Sequence, residues 1–137
     1  MTAEQNIIIA QTFLQRLANP SSAPSVVELF AEDLLWNIPG NEAAYPWIGQ
    51  QHGKDSVTRF ISESGKRLQR TLFEIHDILA NERRAMIYGG IAAIDLVTEK
   101  SMATPFIIVL DISEGLITSF LMMENGVAVS EASEGAK

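Results

Sequence analysis

Four side chains in this sequence are best suited to moving a proton: His52, His76, Asp95 and Glu124. His76 alternates with Glu74 and Ile78 along a strand-like run, so Glu74 and His76 share a face and the carboxylate can orient the imidazole as a general base. The alternative is a half-exposed strand histidine, or one at a subunit interface. His52 stands beside a loop rich in aromatics, either at a pocket mouth or in solvent. Asp95 lies inside Ala92-Ala93-Ile94-Asp95-Leu96. An outward-facing strand position is the default reading, and the apolar neighbours offer partial burial with a raised carboxyl pKa as the alternative. Glu124 either reaches the rim of a pocket or simply ends a strand. Two histidines far apart, without ligand-like spacing, argue against a metal site. No serine has the Gly-x-Ser-x-Gly setting of a nucleophile elbow, and the glycines form no phosphate cradle, so no cofactor is expected.

Composition narrows the setting. With 137 residues, 47% of them hydrophobic and 20% charged, the chain fits one folded domain. Its net charge of −7 opposes phosphate backbones, so nucleic acid is not an expected partner. The basic groups Lys66-Arg67 with Arg70, and Arg83-Arg84, read as solvated turn and helix-end charges. The absence of cysteine suits a reducing, cytoplasmic location. Ile7-Ile8-Ile9 is too short for a signal core or a membrane span, so no membrane is expected.

The elements that must position these groups follow from periodicity. Ile7, Ala10, Leu14 and Leu17 form one stripe of a helix over Ala3–Ala18, stopped at Asn19-Pro20-Ser21-Ser22. Ser25-Val26-Val27-Glu28 has the capping-box form and starts a short helix ending near Phe30. Leu34–Ile38 is a short strand, Asn41–Gln51 a loop carrying Tyr45 and Trp47, and Gly53–Lys66 a third helix. Four β-rich runs follow, at Leu72–Leu79, Ala85–Val97, Thr104–Ile112 and Leu116–Met123. Gly89-Gly90 marks a bend in the second of them. Short connections predict an antiparallel meander with the helices on one face, an α+β arrangement. From Asn125 the hydrophobic pattern fades into a loose acidic tail, leaving an ordered core of about 3–124.

Several local stretches resemble the nuclear-transport-factor-2-like superfamily, which includes SnoaL-like cyclases, ketosteroid isomerase and limonene epoxide hydrolase. They are Val27–Asp33 leading into the first strand, Trp36-Asn37-Ile38-Pro39-Gly40, Gly53–Val57 opening the helix that holds Phe60, and Ser113–Thr118 before the last strand. The resemblance implies a cystatin-like curved antiparallel sheet wrapped around the N-terminal helix, a cone with a pocket.

Carried over position by position, the superfamily's chemistry finds few of its residues. The tyrosine and the two acids of the ketosteroid isomerases fall near Phe13, Ile38 and Phe106, none of which can give or take a proton. The last-strand Asp of limonene epoxide hydrolases falls near Met122, and the Asp-Arg strand reads Met86–Ala92 with neither residue. Asn37 alone matches. What remains is Asn37, His76 and Asp95 as an unfamiliar acid–base set, or an apolar pocket lined by Phe13, Trp36, Ile38, Trp47, Phe60, Tyr88, Phe106, Phe120 and Met122. A cone filled by its own side chains, serving structure or partner binding, is the third reading. The pocket reading expects an uncharged hydrophobic ligand of steroid or terpenoid size, with Trp36 reporting its arrival more strongly than Trp47. Apolar strand positions Ile87, Ile91, Ile107 and Val109 suggest an outer sheet face that pairs two copies, as the resemblance also implies.

Overall fold

The computed structural model describes residues 2–19 and 23–134. Helix α1 (Ala3–Leu17) opens on a capping box in which Thr2 and Gln5 satisfy each other's backbone amides, and it buries Asn6, Ala10, Phe13 and Leu14. The stop expected at Asn19-Pro20-Ser21-Ser22 falls mostly outside the described residues. Helix α2 (Ala23–Val27) starts before Ser25, with Pro24 in its first turn. The serine–glutamate box therefore does not open it, and the extended strand β1 (Phe30–Ile38) follows closely.

Strand β2 (Gly49–His52) was not legible: Gln50 and Gln51 carry no strand signal, and antiparallel pairing with β1 makes the strand. Helix α3 (Asp55–Arg67) leads directly into β3 (Leu68–Ala80), followed by β4 (Arg84–Asp95), β5 (Ser101–Ser113) and β6 (Leu116–Glu124). The sheet order is β2-β1-β6-β5-β4-β3. All neighbours are antiparallel except β1 and β6, so the sheet is mixed rather than wholly antiparallel. The long excursion through α3 and the β3–β5 meander returns β6 beside β1 in the same direction.

The sheet bends around α1. The β3–β4 register slips between Ile75 and Asp77, opposite Gly89 and Tyr88. A Cβ on Gly89 would lie 2.1 Å from the Glu74 carbonyl oxygen and 2.8 Å from Phe106 Cζ, so the bend expected there requires glycine. Glu114 (φ 52°) and Gly115 (φ 81°) close the β5–β6 hairpin with two left-handed residues, a geometry that matches strand twist.

The segment from Asn125 is no loose tail as far as Ser133. The Asn125 side chain accepts the amides of Val127 and Ala128 and caps α4 (Gly126–Ser133), which buries Val129 and Ala132. Residues 135–137 lie outside the described residues. The helix packs on β5, and Thr98 Oγ1 donates to the Ala132 carbonyl at 2.6 Å. None of the described helices is long and apolar enough to cross a membrane.

Strand alternation separates two faces. Ala85, Ile87, Phe106, Ile108, Leu110, Phe120 and Met122 point into the core with Phe13 and Trp36. On the other side, Met86–Val109–Leu121 and Tyr88–Ile107–Met123 form two cross-strand apolar rows. Ile107 and Val109 thus stand on the outer face as expected. Ile87, fully buried, and Ile91, on the pocket wall, do not, because they share the inward parity of Ala85.

Candidate functional site

A cavity of about 140 Å³ opens between α1, α3, α4 and the concave side of the sheet. Its wall takes Phe13 from α1, Ile38 from β1, Phe60, Ile61 and Ser64 from α3, Ile108 from β5, and Phe120 and Met122 from β6. Tyr45 and Trp47 fold over it from the β1–β2 loop, stacked at 4.6 Å, and Val129 covers it from α4. Gly65 and Arg70 line the cavity and are themselves exposed, which places the mouth between the end of α3 and the start of β3.

Among the described residues lining the cavity, Glu124 is the one carboxylate and Arg70 the one cation. The inward parity of Phe120 and Met122 continues to Glu124, so β6 delivers its last side chain into the pocket. Burial among apolar neighbours pushes the Glu124 carboxyl up to about 7. No hydrogen bond or ion pair holds its carboxylate among the described residues. This acid can therefore hold or release a proton near neutral pH against whatever occupies the cavity.

Asp95 behaves in the opposite way. It is buried and faces inward, not outward, but its pKa is depressed rather than raised. Burial pushes the carboxyl up, yet Arg67 and the hydrogen bonds from Thr98, Tyr45 and Val97 outweigh it and hold the pKa at about 2. Arg67 Nε donates to Asp95 Oδ1 at 2.8 Å, the amides of Val97 and Thr98 donate to the same oxygen, and Tyr45 Oη donates to Oδ2 at 2.8 Å. Burial, then the bond to Asp95, raises the Tyr45 phenol above its usual range. A carboxylate with both oxygens engaged is a fastening, not a base. Arg67 is thus no solvated helix-end charge, and Arg70 belongs to a strand rather than a helix end, because β3 begins at Leu68.

The remaining sequence candidates divide cleanly. Phe13, Ile38, Trp47, Phe60, Phe120 and Met122 line the cavity together. Trp36 lies behind the wall, stacked on Phe120 at 4.2 Å, with its Nε1 donating to the Trp47 carbonyl. Phe106 is buried against Phe73 at 5.6 Å and supports the wall without lining it. Tyr88 is 50% exposed on the outer face, with His76 packed 5.1 Å from its ring. Asn37 has the outward parity between Trp36 and Ile38, and His52 is exposed on β2. Asn37, His76 and Asp95 are therefore not brought together. The described residues hold no cluster of three or more metal-ligating side chains. Tyr45, Ser64, Arg70 and Val129 were missed as lining residues. Strand parity from Phe120 is the signal that places Glu124.

No curated protein sequence matches the chain significantly. Solved structures match closely in shape at low identity, which establishes a common fold. An NTF2-like protein from Burkholderia xenovorans LB400 superposes with a TM-score of 0.88 at 17% identity, covering 98% of this chain and 99% of that one. TerC, co-crystallised with polyporic acid, gives 0.80 at 14% identity over 96% and 99%. A limonene-epoxide-hydrolase-like epoxide hydrolase from M. tuberculosis gives 0.73 at 16% identity over 95% and 90%. The profile of the SnoaL-like domain matches residues 10–120, most of the chain, and stops short of the end of β6 and of α4. By that match the chain belongs to the SnoaL-like family, and it shares its fold with NTF2-like proteins.

Proposed function

We propose that the chain takes a small, mainly apolar molecule into the cone and that Glu124 is the group that exchanges a proton with it. The observation that carries this reading is an apolar-walled cavity whose one carboxylate titrates near neutrality. The family's membership, which includes cyclases and isomerases, supports proton-transfer chemistry. The volume narrows the ligand. An apolar cavity of about 150 Å³ takes one benzene, so about 140 Å³ holds a single ring or a short branched chain, not a steroid in this shape. Open space in the cone weighs against a core filled by its own side chains.

The test has two parts. Titration of tryptophan emission with single-ring ketones reads binding. Deuterium exchange at the ketone α-carbon, followed by NMR, reads proton transfer. Binding with exchange that Glu124→Gln abolishes is the expected result. Binding without exchange leaves a carrier rather than an enzyme, and unchanged emission across the panel overturns the reading.

We also propose that two copies pair through the outer sheet face. The Met86–Val109–Leu121 and Tyr88–Ile107–Met123 rows form a contiguous apolar surface with Met86, Tyr88 and Met123 well exposed. Such a surface suits a two-fold contact.

A further inference from the structure

Arg70 stands at the mouth of the cavity, the one cation that lines it among the described residues. The sequence holds 17 acids against 10 lysines and arginines. Arg16, Arg67 and Arg84 each face a carboxylate, but no carboxylate pairs with Arg70 among the described residues. A guanidinium carries five N–H donors in a rigid fork. Arg70 uses one of them, in a long 3.4 Å bond to the Leu17 carbonyl at the end of α1. Its plane is steadied by Phe73, whose ring centre lies 5.1 Å from Cζ. Phe73 lines the same cavity. Arg70 is exposed at the mouth, yet the groups packed around it disfavour the charge and lower its pKa, and no carboxylate among the described residues compensates.

Resting on the reading that the cone binds a small apolar molecule, we infer that this molecule carries one carboxylate, which seats on Arg70 at the mouth while its apolar body enters the cavity. The fork geometry matches a carboxylate, and beyond the Leu17 carbonyl the remaining donors have no hydrogen-bond acceptor among the described residues. A second negative group would meet Glu124 in an apolar wall, so the ligand is a monoacid.

Matched ligands test this directly. 3-Phenylpropanoate and 3-phenylpropanamide have nearly the same shape and differ in charge. Calorimetric titration of the intact protein should show the carboxylate binding about tenfold tighter or more. The preference should disappear in Arg70→Gln, with amide affinity changed less than about twofold, and return in part in Arg70→Lys. If the wild-type protein binds both equally, or prefers the amide, the inference is overturned while the apolar-pocket reading stands. If neither binds, both fall. The wild-type ratio needs no variant, so a misfolded Arg70→Gln does not rescue the idea.

Discussion

Tyr45 Oη donates a 2.8 Å hydrogen bond to Asp95 Oδ2, joining the aromatic loop over the cavity to the end of β4. The same carboxylate anchors Arg67 at the end of α3, and Arg67 reaches the Ser133 carbonyl at the end of α4. One buried anion thus gathers four segments around the pocket. Removing a partner leaves charge without compensation. Tyr45→Phe should cost about 1–2 kcal/mol and Asp95→Ala about 3–5 kcal/mol of unfolding free energy. Urea denaturation checks both, and losses under about 0.5 kcal/mol would remove this anchor from the account.

Two carboxyls give opposite pH trends. Asp95 is held at about 2 against an ordinary 3.8, so its stabilisation is complete above the ordinary value and is lost as pH falls toward 2. Glu124 is raised from 4.5 to about 7, so the folded state keeps a proton that the unfolded state has released. Stability must therefore fall as pH rises from 4.5 to 7, by up to about 3 kcal/mol from this group. Glu124→Gln should flatten that slope and stabilise the protein at pH 7.5. Parallel slopes in wild type and variant, in denaturation series between pH 5 and 8, would contradict the burial of this carboxyl.

Trp47, not Trp36, should report ligand. Trp47 lines the cavity, whereas Trp36 lies behind Phe120. Trp47→Phe should remove most of any ligand-induced change in emission, and Trp36→Phe less. The reverse order would mean that the ligand displaces Phe120.

Gly89→Ala should destabilise the fold by more than about 2 kcal/mol. The added carbon meets backbone at the Glu74 carbonyl, which cannot step aside as a side-chain end can. Gly115→Ala meets no atom within 4 Å but retains the strain of φ 81°, so it should cost less, about 1 kcal/mol. Thermal melts of the pair rank them.

Sedimentation at tens of micromolar (about that order) should find a dimer, and Tyr88→Glu should shift it to monomer without lowering α-helix content. A wild-type monomer would leave the outer apolar rows without a partner of the same chain.

Much of this protein is written in local pattern. The stripe Ile7, Ala10, Leu14 and Leu17 determined α1, period-two runs determined β3 to β6, and Gly89-Gly90 marked the bend. The wall residues Phe13, Ile38, Phe60, Phe120 and Met122 followed from those elements and the family's order. Periodicity reports which face a residue takes within its own element, but not what the opposing element presents. Tertiary structure therefore decided that Asp95 meets Arg67 from 28 positions away and Tyr45 from 50, and is ionised rather than neutral. It decided that β2 exists, because an edge strand is made by its partner's free backbone groups. It also decided that Glu124 is covered. Helix α4 folds back over the cavity under its Asn125 cap, and burial in that assembled pocket raises a strand-end acid to about 7.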